Sequence, residues 1–267
     1  MSSRHSQTAA ASDNASAGDS SQPWADLAGG YERARAKEDS LDRLVEWPAQ
    51  RDLLGDVSGL TVLDAGCGNG SKIAELAREG GAVASVGVDI SGSFITAPPA
   101  GVELIQGDLS DLASVPGLAD RRFDRILFLQ SFGYAENPVR ALQIARMMLS
   151  DGGFILLTRT QPVRYAIERA EQNGTSLGEE YFSTKSFSYR HRGWNERASL
   201  TKRPYTISDL LNLFSAAGLW IETAVEPQMP EDARTRYPHK QAVLDKYLGI
   251  LMFKLRPLPS QAVPVTG

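Results

Sequence analysis

Three aspartates and a run of glycines are the residues whose types and spacing could do chemistry in this sequence. The run Val62-Leu63-Asp64-Ala65-Gly66-Cys67-Gly68-Asn69-Gly70 sets an acidic side chain ahead of glycines at every second position. Glycines permit backbone dihedrals closed to other residues and let the chain approach a ligand closely. Asp89 lies nineteen residues past Gly70, where a carboxylate at a strand end can hold both hydroxyls of a ribose. Asp108, within Gly107-Asp108-Leu109, is placed to accept a hydrogen bond from an adenine amino group. Read blandly, the glycines make a tight turn and the acids are merely solvated. Acids that follow three successive strands argue for a nucleoside pocket instead.

The elements that must position these groups are legible on either side. Thr61-Val62-Leu63 is a short apolar run suited to a buried parallel strand. Ser71 opens a helix with Ile73, Leu76 and Ala77 on one face, closed by Gly80-Gly81. Further strands are expected at 83–88, 102–105, 125–129 and 154–158, the last after the turn Asp151-Gly152-Gly153, with a helix opening at Pro138 between the final two. Ser40 caps an earlier helix that Pro48 interrupts. A helix at 208–217 and strands at 220–225 and 250–255 complete the pattern, the last two separated by a polar excursion. Strands alternating with helices predict an α/β fold: a seven-stranded Rossmann-like sandwich with a mostly parallel sheet and a C-terminal antiparallel strand. Its ligands bind beyond the carboxyl ends of the strands.

Composition bounds the rest. The 267 residues carry a formal net charge of -4, which offers little attraction for nucleic-acid phosphates or anionic lipid. One cysteine, Cys67, excludes an intrachain disulfide and a cysteine-based zinc site, and no metal is expected. A reducing, cytoplasmic location fits, and no stretch is long enough to span a bilayer. Residues 1–22 are rich in Ser, Ala, Asp and Asn and read as a disordered tail, with a second, flexible tail at 258–267. The domain is expected over 23–257, with an aromatic-rich insertion at about 161–205 as a lid after the fifth strand. A monomer or a homodimer is compatible with this.

These segments resemble the class I S-adenosyl-L-methionine (SAM) dependent methyltransferases, and most closely their small-molecule branch from actinobacterial natural-product metabolism. Glu46-Trp47-Pro48-Ala49 before the glycine loop and Glu226-Pro227 after the sixth strand match that branch. The resemblance implies that Asp64 orients the loop near the methionine end of SAM, that Asp89 holds the ribose, and that Asp108 and Leu109 frame the adenine. Gly66, Cys67, Gly68, Asn69, Gly70, Ile90 and Gln130 complete the expected cofactor contacts, and Tyr31 resembles an N-terminal tyrosine that closes over SAM. A nicotinamide-dependent dehydrogenase is the nearest rival, but its fingerprint wants glycine or alanine where this chain has Ser71.

The acceptor is expected beyond the fourth strand, against Phe132, Tyr134, Gln161, Tyr165, Tyr189 and Tyr205. Histidines that many members of this branch carry are replaced by Gly133, by Gln161 and by Pro204 or Tyr205. Of the three histidines present, His191 alone lies in the presumed lid. It is the candidate general base, with Tyr134 as a second catalytic candidate. Cys67 is discounted as a nucleophile because no histidine neighbours it in sequence. The expectation is methyl transfer to oxygen or nitrogen of a small molecule. Carbon methylation, an RNA acceptor and a non-catalytic SAM-binding protein are the alternatives. Positive charge between Tyr189 and Arg203 suits RNA, and equally an acceptor with a carboxylate or phosphate.

Overall fold

The computed structural model describes residues 21–189 and 199–259. It opens with helix α1 (Ser21–Ala36), a π-helical turn at Asp42–Glu46 and α2 (Trp47–Leu54). α1 thus begins at Ser21, inside the segment expected to be a tail. Pro48 sits in the first turn of α2, directly after the π-helical turn, so the helical run continues from Leu41 to Leu54 and Pro48 does not break it.

The alternation then follows: β1 (Thr61–Ala65), α3 (Ser71–Gly80), β2 (Ala84–Asp89), β3 (Glu103–Gln106) and β4 (Phe123–Leu129). Next come α4 (Pro138–Met147), β5 (Leu149–Thr160), α5 (Pro162–Asn173), α6 (Leu177–Tyr181), β6 (Phe187–Tyr189) and β7 (Leu200–Lys202). The chain continues through α7 (Ile207–Ala216), β8 (Leu219–Val225), α8 (Glu231–Arg236), α9 (Pro238–Tyr247) and β9 (Ile250–Pro257).

Seven strands form one sheet in the order β3-β2-β1-β4-β5-β9-β8, and β6-β7 form a separate hairpin. All pairs from β3 to β5 are parallel, and β9 runs antiparallel to both β5 and β8. This is the expected α/β sandwich. Its strands bury side chains on both faces: Leu63, Ile126, Phe128, Ile155 and Leu157 join one core cluster, and Val62, Leu127, Phe154 and Leu156 the other. That two-sided burial is why the strands read as continuous apolar runs. The strand order reverses between β1 and β4, so a crevice opens at their carboxyl ends.

Two stretches differ from expectation. β5 begins at Leu149 and runs through Asp151-Gly152-Gly153, because Leu149 pairs with Phe123 before an irregularity resets the register at Arg125 and Phe154. Among its described residues the aromatic-rich insertion holds two helices and the antiparallel pair β6-β7. Gln161 caps α5 by accepting from the Val163 N–H at 2.5 Å, and Gly174 ends that helix in the left-handed region.

Candidate active site

β1 delivers the chain into the crevice. Gly66, Gly68 and Gly70 all adopt positive φ, at 84°, 57° and 72°. The loop is held from below: the Gly66 and Cys67 N–H groups donate to the Val88 carbonyl at 2.7 and 3.1 Å. Gly66 is also a close approach, since a Cβ there would stand 2.3 Å from Ser131 Cβ, whose own hydroxyl donates to the Ala65 carbonyl at 2.5 Å. Gly66→Ala therefore combines a left-handed backbone with a clash. The expected loss is about 2–4 kcal/mol, read as a lower urea midpoint at unchanged m-value; a midpoint like the wild type's would refute the close packing.

The acids line up as the strands dictate. Asp89 ends β2, is 8% exposed, and accepts from the Gly68 N–H at 2.8 Å and the Ser91 N–H at 2.9 Å. Burial raises its pKa, and those two donors oppose the rise. Asp108 accepts from the Ser110 N–H at 2.7 Å and caps the 3-10 turn that follows β3. Asp64 is buried, and its Oδ1 has no hydrogen-bond partner. Burial pushes its carboxyl up to about 7, only partly offset by Lys72 and Arg35, and Asp89 adds to the rise. The Cys67 thiol, pushed far up by burial and by the Asp64 and Asp89 charges, is inert at neutral pH.

Around them lies a cleft of about 270 Å³. Tyr31, Gly66, Cys67, Gly68, Asp89, Ile90, Asp108, Leu109, Gln130 and Tyr134 of the expected residues line it. Asp64, Asn69 and Gly70 stand behind the loop wall. Asn69 donates to Glu32 Oε2 at 2.7 Å and so ties α1 to the loop, while a Cβ on Gly70 would meet Leu104 at 2.8 Å.

Among the contributors that sequence reasoning missed are Trp24, Phe94, Arg35 and Ser131. Trp24 packs edge-on against Tyr31 and Tyr134 at 5.5 and 5.3 Å between centroids, and Phe94 stands 6.4 Å from Trp24. Arg35 donates to the Tyr31 hydroxyl at 2.7 Å and to Asp42 at 2.8 Å. Ser131 supports the loop from β4. Trp24, seven residues before Tyr31, and Phe94, five residues after Asp89, were the available signals. Between β2 and β3 the backbone forms turns and no helix, and Phe94 within it is buried against the cleft.

The expected acceptor residues divide. Phe132 is a correction: it is fully buried in the core, edge-on to Phe128 at 5.9 Å, and does not line the cleft. Tyr205 also packs into the core and forms a wall of a separate surface groove. Gln161 is buried and donates to Glu226 at 3.0 Å, tying β5 to the Glu-Pro pair. Tyr165 lies behind Tyr134, where its hydroxyl accepts from Lys202 Nζ at 2.5 Å and donates to Thr160 at 3.0 Å. Burial alone would raise that phenol; Lys202, Thr160 and Arg159 outweigh it and hold it below the usual tyrosine range. Tyr134 is the reverse case, pushed up to about 12 by burial despite Lys202. It suits a hydrogen-bond donor and not a base at neutral pH. His191 and the side chain of Tyr189 lie outside the described residues.

A mostly parallel seven-stranded sheet, with a glycine cleft and strand-end acids at its reversal point, is the architecture of the class I SAM-dependent methyltransferases. The chain belongs to the methyltransferase domain family, which it matches over residues 56–200. It is 24% identical over 216 residues to an uncharacterized protein of Haemophilus influenzae, covering 75% of this chain and 83% of that one. It is 34% identical over 123 residues to a fatty-acid O-methyltransferase of Mycolicibacterium smegmatis, across 44% of this chain and 43% of the relative. The solved SAM-dependent methyltransferase of Mesorhizobium loti superposes at a TM-score of 0.59 with 23% identity, covering 79% of this chain and 97% of that one. The chain is an enzyme of this kind, and its cofactor is SAM. The cleft fits that cofactor: an orphaned buried carboxylate oxygen on Asp64 stands behind the loop, and the Gly66 and Gly68 backbone and the nearly buried Asp89 carboxylate line the cleft wall. Among the described residues no group of acids, histidines or cysteines could hold a metal ion, and no helix is long and apolar enough to cross a membrane.

Proposed function

We propose that this enzyme moves the SAM methyl group to an oxygen or nitrogen of a small-molecule acceptor. In this reading Asp89 holds the ribose hydroxyls, Asp108 and Leu109 frame the adenine, and Asp64, behind the loop wall, orients the loop near the methionine end of the cofactor. Tyr31, with Trp24 and Phe94, closes the cleft over the cofactor. SAM supplies an electrophilic methyl on sulfonium. The residues of this chain then need only exclude water and hold the acceptor in line with it.

The observation that carries the small-molecule reading is the closed aromatic cleft, in which Trp24, Tyr31, Phe94 and Tyr134 pack within one cluster. Transfer to oxygen is favoured by the likeness to the fatty-acid O-methyltransferase. Tyr134, a weak acid at about 12, supports orientation of the acceptor by hydrogen-bond donation. The segment 161–205 supports a lid, because Tyr165 and Lys202 approach Tyr134 from it. Calorimetric titration with SAM, S-adenosylhomocysteine and NADH tests the cofactor half of the proposal. Micromolar binding of both adenosyl-sulfur ligands and none of NADH is expected. Paired alcohol, acid and amine acceptors, followed by a one-methyl mass gain, test the other half; gain on RNA alone would overturn it.

A further inference from the structure

Arg159 is a charge in a place built for an apolar side chain. On β5, Ile155 and Leu157 point into the core and are fully buried, and Arg159 continues their row at 5% exposure. Its Nε and Nη1 are buried and make no hydrogen bond, and among the described residues no carboxylate pairs with it. The ring of Tyr205 lies 4.6 Å from the guanidinium carbon, which offsets part of the desolvation but satisfies no N–H. Arg169 shows how the same fold treats another buried arginine. At 6% exposure, its Nη1 is also without a partner, but its Nε reaches Glu180 Oε2 at 2.9 Å and the Glu180 carbonyl accepts from Nη2, so a carboxylate neutralises the charge. An uncompensated buried guanidinium costs several kcal/mol, so Arg159 is retained against the interest of the unliganded fold.

Arg159 lines a small space of about 20 Å³ together with Gln130, Gly133, Tyr134, Tyr165 and Lys202. Gln130 and Tyr134 line the cofactor cleft as well, so the two spaces adjoin beyond the carboxyl ends of β4 and β5. At Gly133 a Cβ would meet nothing within 4 Å, which leaves the space open from that side. Lys202, bonded to Tyr165, and Arg203 bring the cationic residues lining this space to three.

We propose that Arg159 anchors an acceptor subsite that receives a carboxylate, so that the methyl acceptor is a small organic acid. This rests on reading the adjoining cleft as the SAM site. The space suits the flat head of a carboxylate better than a tetrahedral phosphate, which wants more donors and more room. Arg159 does not itself line the cofactor cleft. The anchored carboxylate is therefore a handle, and the reacting oxygen or nitrogen lies on the side of Gln130 and Tyr134. Desolvation of the guanidinium holds its pKa below the usual arginine value, with Tyr165, Tyr205 and Tyr134 opposing; a bound anion would relieve that cost.

Thermal unfolding of the protein saturated with S-adenosylhomocysteine tests the proposal, using benzoate against benzamide and hexanoate against hexanamide at millimolar concentration. The carboxylates are expected to raise Tm by about 2–4 °C and the amides to leave it unchanged. Arg159→Gln should abolish the shift and Arg159→Lys keep part of it, with calorimetric affinity for S-adenosylhomocysteine equal in all three proteins. Equal shifts with acids and amides, no shift in the cofactor-loaded wild type, or a full shift in Arg159→Gln would overturn it. Failure of the wild type to bind S-adenosylhomocysteine would instead overturn the cofactor reading on which it rests.

Discussion

Replacing Asp89 by alanine is expected to weaken binding of SAM by about thirty-fold or more, roughly 2 kcal/mol, through lost charge-assisted hydrogen bonds. The carboxylate lines the cleft and is nearly buried, so its bonds to a ligand form out of competition with water. The same side chain fastens the loop through Gly68 and Ser91. Alanine thus also orphans two backbone donors and lowers stability by about 1–3 kcal/mol for each that stays buried. The two effects separate in the ligand series. SAM and S-adenosylhomocysteine share the ribose, so the loss should be the same factor for both in calorimetry at a temperature where the variant is folded. Unchanged affinity together with a lower Tm would leave Asp89 as a loop fastener and remove it from the ribose.

The pattern that places this cleft was readable because parallel strands bury both faces. Val62-Leu63, Ile126 to Leu129 and Ile155 to Leu157 are apolar runs that tolerate no other assignment beside a glycine loop. The polar excursion after β8 was opaque for the opposite reason. α8 and α9 bury one side chain each, Ala233 and Leu244, and so carry no apolar stripe to read. α5 did carry its signals, with Gln161 before Pro162 and Gly174 after Asn173, but the aromatics around them suggested an irregular lid.

At the site, groups fixed by their position on a strand end were legible: Asp64, Asp89, Asp108 and the glycines. Groups recruited by tertiary packing were not. Trp24 and Phe94 reach the cleft from α1 and from an irregular stretch, and no spacing rule connects them to it. Phe132 failed because the residue after Ser131 turns into the core, edge-on to Phe128. Arg159 was invisible since the cost of a buried charge depends on which partners the fold withholds.

Asp64→Asn should produce the second large effect, a crossover between stability and cofactor binding. In the folded protein the Asp64 carboxyl is raised to about 7, by burial before all else. An aspartate in the unfolded chain ionises near its ordinary value of about 3.9. Between those two values the folded chain keeps a proton that the unfolded chain has released. Stability must then fall as pH rises through that window, by at most about 1.4 kcal/mol per pH unit, and level off above it. Asparagine does not titrate, so the difference in Tm between variant and wild type, both unliganded, should grow in the variant's favour from pH 5 to 7.5. SAM reverses the ranking. Its ammonium and sulfonium charges favour the ionised carboxylate, so binding stabilises the wild type and draws its pKa down, while the variant should bind at least about ten-fold more weakly. Parallel Tm curves for the two proteins would show that Asp64 ionises normally in the fold. Equal SAM affinity would place the cofactor's positive end away from it, and with that the in-line approach of any acceptor across Gln130 and Tyr134 would have to be redrawn.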